Sequence, residues 1–289
     1  MPTPVLQAHG AEIPMLGFGT SPITGGFSAD EVVTALRAGY RHIDTARKYG
    51  TEREVGEAMR ASGVPRRDIF LVTKVSHENL HEADFARSVD ESLTALGVDA
   101  VDLLMIHWPN IEIPVQEAVK GLAKAKRQGV ARHIGVANFN TTLLAEALHL
   151  CPEPIAVLQA EYHPYLDQTK VLAACRQHGL AFVAYCPLGR GRLFGDKVLA
   201  EIAASRGRTV AQVALRWLMQ QNVAAIPRSS NPERIAANLD VFDFTLSDDE
   251  IARIAALKRP NGRIANPAGR VPPWDEAGAN PPDAAGQSG

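Results

Sequence analysis

Nothing in this chain of 289 residues is arranged to hold a nucleic acid, a bilayer or a set of disulfides. Its 30 Lys and Arg against 32 Asp and Glu leave a formal charge of −2, so there is no basic field for a polyphosphate backbone. No apolar run approaches the ~20 residues that a bilayer core demands, so no membrane partner is expected. The opening Met1-Pro2-Thr3-Pro4 lacks the basic and apolar regions of a secretory signal. Cysteine is scarce: Cys151, Cys175 and Cys186 are an odd number at unrelated spacings, which gives neither a disulfide framework nor a zinc site. The histidines show no metal-ligand spacing either, and no metal is expected. These absences fit a reducing cytoplasm. No low-complexity linker and no fixed-period repeat divides the chain. Its 46% apolar and 21% charged residues are those of a soluble globular protein.

What is present is an alternation of short apolar runs with amphipathic stretches. Residues 5–6 and 12–15, around His9-Gly10, predict a small hairpin. Residues 15–17 are the expected first strand of the main sheet. Residues 41–44, 69–74, 101–107, 132–137, 155–161, 180–185 and 223–226 predict the strands that follow. Helices are expected between them, at 28–39, 52–62, 82–96, 114–129, 140–150, 167–178, 196–206, 209–220, 232–239 and 247–257. Ser28-Ala29-Asp30-Glu31 and Ser247-Asp248-Asp249-Glu250 have the spacing of capping boxes. Eight strands alternating with helices within about 250 residues favour an α/β fold of the closed (β/α)8 (TIM) barrel type over an open doubly wound sheet. One domain is expected over 1–274. The proline-rich end reads as an extended segment, with 275–289 a flexible tail.

In such a barrel the site forms where strands open into loops at their C-terminal ends. Those ends carry Asp44 and Tyr49, Lys74, His107 and Trp108, Asn138, Gln159 and Glu161, Tyr185, and Arg228-Ser229-Ser230. A lysine ending a buried strand needs a partner, because an unpaired buried charge is costly, and Asp44 on the neighbouring strand can supply it. Alone this would be a structural ion pair. Tyr49 and His107 beside it suggest more. A free tyrosine titrates near ~10; a lysine ammonium nearby would stabilise the phenolate and make Tyr49 a usable proton donor. His107 could then orient a carbonyl oxygen. Two other readings stand beside this one: a Schiff-base aldolase using Lys74, and a cofactor-binding regulatory protein without turnover.

The chain resembles the aldo-keto reductases. The matching pieces are Gly39-Tyr40-Arg41-His42-Ile43-Asp44-Thr45-Ala46 with Tyr49-Gly50, Lys74, His107-Trp108-Pro109, Gly135-Val136-Ala137-Asn138-Phe139, Gln159-Ala160-Glu161-Tyr162-His163-Pro164-Tyr165, Ala184-Tyr185-Cys186-Pro187-Leu188-Gly189-Arg190-Gly191 and Ile226-Pro227-Arg228-Ser229. The stretch Asn266 to Asp275 looks closest to bacterial 2,5-diketo-D-gluconate reductases, a group that also reduces methylglyoxal-like carbonyls. The resemblance implies a monomeric NADP(H)-dependent reductase of small dicarbonyls or keto-sugar acids. Tyr49 would be the general acid, Lys74 and Asp44 its tuning pair, and His107 the carbonyl orienter. Asn138 and Gln159 would hold the nicotinamide carboxamide, Tyr185 would stack on the ring, and Leu188 would pass the pyrophosphate. Arg228, Ser229 and Arg234 would meet the 2′-phosphate and Asn238 the adenine; Gly19 and Thr20 count with the cofactor residues. Trp108 and Trp274 would wall the substrate pocket. Ser21 stands where many members carry a pocket tryptophan. Ala137 and Cys186 replace usual serines, and Ala237 a usual acid. Gly17-Phe18-Gly19 and the 189–194 stretch lack the third glycine of a dinucleotide fingerprint.

Overall fold

The computed structural model describes residues 3–22 and 26–275. Apart from Asp275, the expected flexible tail lies outside the described residues. The chain starts with β1 (Val5–Ala8) and β2 (Ala11–Pro14), paired antiparallel with Leu6 opposite Ile13. His9 (φ 47°) and Gly10 (φ 84°) supply the two left-handed positions of the turn. Ala8, Ala11 and Ile13 on this hairpin are buried in one cluster with Val72, Leu103, Val157 and Val183, so the hairpin stoppers one end of the main sheet.

That sheet has eight parallel strands in chain order: β3 (Phe18–Gly19), β4 (His42–Asp44), β5 (Phe70–Val75), β6 (Val101–Ile106), β7 (Ala131–Ala137), β8 (Ile155–Glu161), β9 (Ala181–Tyr185) and β10 (Val223–Ala225). The helices are α1 (Ala29–Ala38), α2 (Glu52–Ser62), α3 (Glu82–Leu96), α4 (Val115–Arg127), α5 (Thr141–Leu150), α6 (Thr169–Gln177), α7 (Lys197–Arg206), α8 (Val210–Met219), α9 (Pro232–Ala237) and α10 (Asp248–Ala255). The two edges of the sheet meet. Gly17 N donates to Ala225 O at 2.9 Å, Ala225 N to Met15 O at 2.8 Å, and Gly19 N to Pro227 O at 3.1 Å. The result is an α/β barrel. Strand β6 shows the two-sided burial that a parallel sheet imposes. Leu104 and Ile106 pack outward among the helices, while Leu103 and Met105 fill the interior.

The structure corrects two expectations here. The first strand lies further along than expected: residues 15–17 bridge in parallel to β10 at Leu16 and Ala225, while Phe18–Gly19 makes the ladder with β4. Gly17 permits this, since a Cβ there would lie 2.6 Å from the His42 ring. The second concerns capping. The box at α10 forms in both directions between Ser247 and Glu250, but at α1 Ser28 Oγ accepts from Asp30 N at 3.2 Å, and the Glu31 carboxylate is directed to Arg228 instead.

Helix α2 approaches α3 so closely that a Cβ on Gly56 would sit 2.2 Å from Leu96 O. Gly56→Ala should therefore destabilise the fold by roughly 1–3 kcal/mol, although alanine gains up to about 1 kcal/mol in helix propensity. Chemical denaturation would show a lower midpoint; an unchanged or higher one would contradict this packing.

Candidate active site

Alternation along β4 turns Ile43 outward into the helical shell and Asp44 inward. In the β4–β5 register Asp44 is opposite Val72, so Lys74 stands two residues further along, level with the loop that follows Asp44. Lys74 Nζ lies 2.5 Å from Asp44 Oδ1 and donates to Thr45 O at 2.9 Å. Both side chains are buried, Lys74 completely. The other Asp44 oxygen accepts from Gln159 Nε2 at 2.8 Å. A single 3-10 turn, Arg47–Tyr49, closed by Gly50 at φ 68°, brings Tyr49 back over this pair. Its ring stands edge-on to His107 with centroids 5.4 Å apart, and Lys74 Nζ is 5.5 Å from the Tyr49 ring centroid.

A cavity of about 620 Å³ opens over these groups, within the range of small-molecule sites. Asp44, Tyr49 and His107 line it, and Lys74 sits behind them. Burial pushes the Tyr49 hydroxyl well above its ordinary value, and the nearby Asp44 and Cys186 add to the shift. Burial also drives His107 well below the imidazole range, assisted by Lys74 and Arg270. Lys74 itself is lowered by burial against the opposing pull of Asp44. The expected net lowering of the Tyr49 hydroxyl is not found: burial raises it instead. Asp44 compensates the ammonium at hydrogen-bond range, and desolvation outweighs what remains. At neutral pH Tyr49 keeps its proton and His107 is uncharged.

Gly19, Thr20, Asn138, Gln159, Tyr185, Leu188 and Arg228 also reach the cavity. Asn138 takes a left-handed conformation at φ 64°, which asparagine tolerates better than most residues. Its Nδ2 donates to His107 O at 2.9 Å and its Oδ1 accepts from Tyr185 Oη at 2.7 Å. Thr20 Oγ1 donates to Asp44 O at 3.1 Å. Arg228 sits at the far end of the cavity, paired with Glu31. Ser229, Arg234 and Asn238 stand outside the wall, on the β10–α9 connection, on α9 and at its C-cap respectively. That helix is six residues long, and Asn231 Oδ1 already accepts from Arg234 N at 2.9 Å. Trp108 lines the cavity; Trp274 packs against its outer side, with ring centroids 6.1 Å apart.

Part of the wall could not be read from strand ends. Ile264, Ala265, Asn266, Pro267 and Arg270 come from the extended C-terminal segment. Glu161 holds that segment: Oε1 accepts from His163 Nε2 at 2.8 Å and Ile264 N at 2.8 Å, and Oε2 from Ala265 N at 2.7 Å. Asp275 accepts from Thr141 N at 2.8 Å and fixes the far end. Ser76, His77, Arg190 and Arg192 also line the cavity. No sequence motif links position 161 to 264; the proline-rich composition of the segment was the available signal. Among the described residues, no three His, Cys, Asp or Glu cluster as metal ligands, and no helix is long and apolar enough to cross a membrane.

Lys74→Met would leave the Asp44 carboxylate buried without its cation. A loss of roughly 3–5 kcal/mol in unfolding free energy is expected, read by urea denaturation. A loss below about 1 kcal/mol, the level of an exposed pair, would mean that water reaches the pair.

The Aldo/keto reductase family model matches residues 15–259. The methylglyoxal reductase DkgB of Escherichia coli O157:H7 is 40% identical over 266 residues, covering 91% of this chain and 99% of that protein. A solved chain assigned as a 2,5-diketo-D-gluconic acid reductase B superposes with a TM-score of 0.91 at 46% identity, covering 95% of this chain and 98% of the other. The Bombyx mori aldo-keto reductase, solved in complex with NADP, superposes with a TM-score of 0.84 at 32% identity, covering 89% and 94%. With Asp44, Tyr49, Lys74 and His107 assembled at one barrel mouth and the match spanning nearly its whole barrel, the chain belongs to the aldo/keto reductase family.

Proposed function

We propose that this chain reduces aldehydes and ketones to alcohols with NADPH as the reductant. The observation that carries the reading is Tyr49 set edge-on to His107, with the Asp44–Lys74 pair behind them, in one cavity. The residues suit a dinucleotide. Gln159 is fixed at the cavity wall by its Nε2 bond to Asp44, which places its amide group for a carboxamide. Tyr185 offers a flat ring at the wall, anchored through Asn138. Asn138, Gln159 and Tyr185 would hold the nicotinamide end, Gly19, Thr20 and Leu188 the middle, and Arg228, Ser229, Arg234 and Asn238 the adenosine phosphate. Bound NADPH would supply hydride to the carbonyl carbon.

The chain's own groups do the rest. His107, uncharged, donates one N–H to the carbonyl oxygen and fixes its direction. Tyr49 transfers its proton to that oxygen as negative charge develops. The phenolate left behind faces Lys74, whose ammonium then has an anion within reach. Lys74 thus acts on the state after proton transfer, and Asp44 acts through Lys74. A Schiff base on Lys74 is disfavoured, because the amine is clamped by Asp44 and Thr45 behind the cavity wall. For the substrate, a small dicarbonyl or keto-sugar acid fits. Arg270 favours the acid: its guanidinium lies near the Trp108 ring, its buried Nε has no hydrogen-bond partner, and it makes no ion pair among the described residues. A single domain over 1–274, acting as a monomer in the cytoplasm, belongs to the same reading.

Tyr49→Phe should lower the rate of carbonyl reduction by about 10²–10⁴-fold, with NADP+ affinity within about twofold of the parent; full activity would sink the mechanism. Since His107 titrates below the usual range and Tyr49 above it, the chemical step should be level from about pH 6.5 to pH 8. A titration inside that window would point to a different acid. Arg270→Met should raise KM for a keto-sugar acid about tenfold while sparing methylglyoxal; equal effects on both would remove Arg270 from substrate recognition.

A further inference from the structure

Glu31 is spent in an unexpected way. It occupies the third helical position of α1, where a capping box would return its carboxylate to the Ser28 amide, yet it faces Arg228, 197 positions away. The pair is bidentate: Nε reaches Oε2 at 3.0 Å and Nη2 reaches Oε1 at 3.0 Å. Both side chains are largely buried, at 8% and 13% exposure. Arg228 Nη1 donates to Ser21 O at 2.7 Å, and Nη2 donates to Gly26 O. A guanidinium has five N–H donors, and these four contacts turn all but one toward α1 and the loop that precedes it.

We infer that Glu31 sets how strongly this chain distinguishes a phosphorylated from an unphosphorylated dinucleotide, by holding Arg228 away from the 2′-phosphate. The inference rests on the dinucleotide reading above. A 2′-phosphate arriving at Arg228 meets a charge already compensated and a fork already filled. To use the fork it must displace Glu31, which leaves a carboxylate buried without its cation. Otherwise it binds through the remaining donor and the exposed Arg234. Both routes weaken NADP(H), and neither touches NAD(H), which carries no phosphate at that position. Discrimination between the two cofactors is therefore small in this chain, and Glu31 is the residue that makes it so.

The test is calorimetric titration of the parent, Glu31→Gln and Glu31→Ala with NADP+ and NAD+. Glutamine keeps an acceptor for Arg228 and removes the charge. NADP+ should bind Glu31→Gln about tenfold tighter, with NAD+ within about twofold, which also reports an intact fold. In the parent, hydrogen exchange over residues 26–31 should rise on adding NADP+ and not on adding NAD+. Unchanged NADP+ affinity in both variants overturns the inference. Weaker NADP+ binding also overturns it, since Glu31 would then be presenting Arg228 to the phosphate. Binding of neither dinucleotide to any of the three proteins overturns the cofactor reading itself, and this inference with it.

Discussion

Lys74 is completely buried, and the barrel mouth is organised by the groups that take the place of solvent around its ammonium. Asp44 and the Thr45 carbonyl solvate the ammonium. Asp44 is in turn held by Gln159 through its side chain, and by Thr20 through its backbone oxygen. Four strand ends, at β3, β4, β5 and β8, are thereby tied to one cation. Such a group is expensive to bury singly and stable only when complete. Close by, burial raises the Tyr49 hydroxyl above its ordinary value, and Asp44 adds to the shift.

A second network carries the opposite wall. Asn138 ends β7 in a left-handed turn and joins the His107 carbonyl to the Tyr185 hydroxyl. A ring expected to face a cofactor and a ring expected to face substrate are thus braced by one side chain. Beyond them Glu161 reaches the C-terminal segment through three hydrogen bonds. That carboxylate is fully buried, and against the cost of burial His163, the Arg263 guanidinium and the Ala265 amide hold it below the usual carboxylate range. The wall formed by the C-terminal segment therefore depends on a strand-end residue that does not itself line the cavity.

Legibility from sequence followed distance along the chain. Asp44, Lys74, His107, Asn138, Gln159 and Tyr185 each end a strand, and a parallel barrel places such ends together, so periodicity sufficed to gather them. Closure of the barrel by residues 15–17 against Ala225 was legible in the strand count; the extension of the first strand to Phe18–Gly19, where it pairs with β4, was not. Nor was the sign of the Tyr49 shift: spacing brings Lys74 near, but the balance of desolvation against a compensated charge is a matter of depth. Glu31 was misread for a related reason. Its local spacing fits a capping box, and a local rule cannot foresee an arginine nearly two hundred residues later.

Barrel closure has a consequence for how the chain comes into being. The ladder is complete only when Ala225 and Pro227 meet Met15, Gly17 and Gly19, and the cavity needs Arg270 as well as Gly19. During synthesis, a chain that has emerged as far as β9 has seven strands, an open edge and no finished cavity. Such high sequence separation slows folding and leaves unpaired strand edges exposed while it proceeds. The hairpin of residues 5–14, whose contacts are local, can form long before the barrel it stoppers exists.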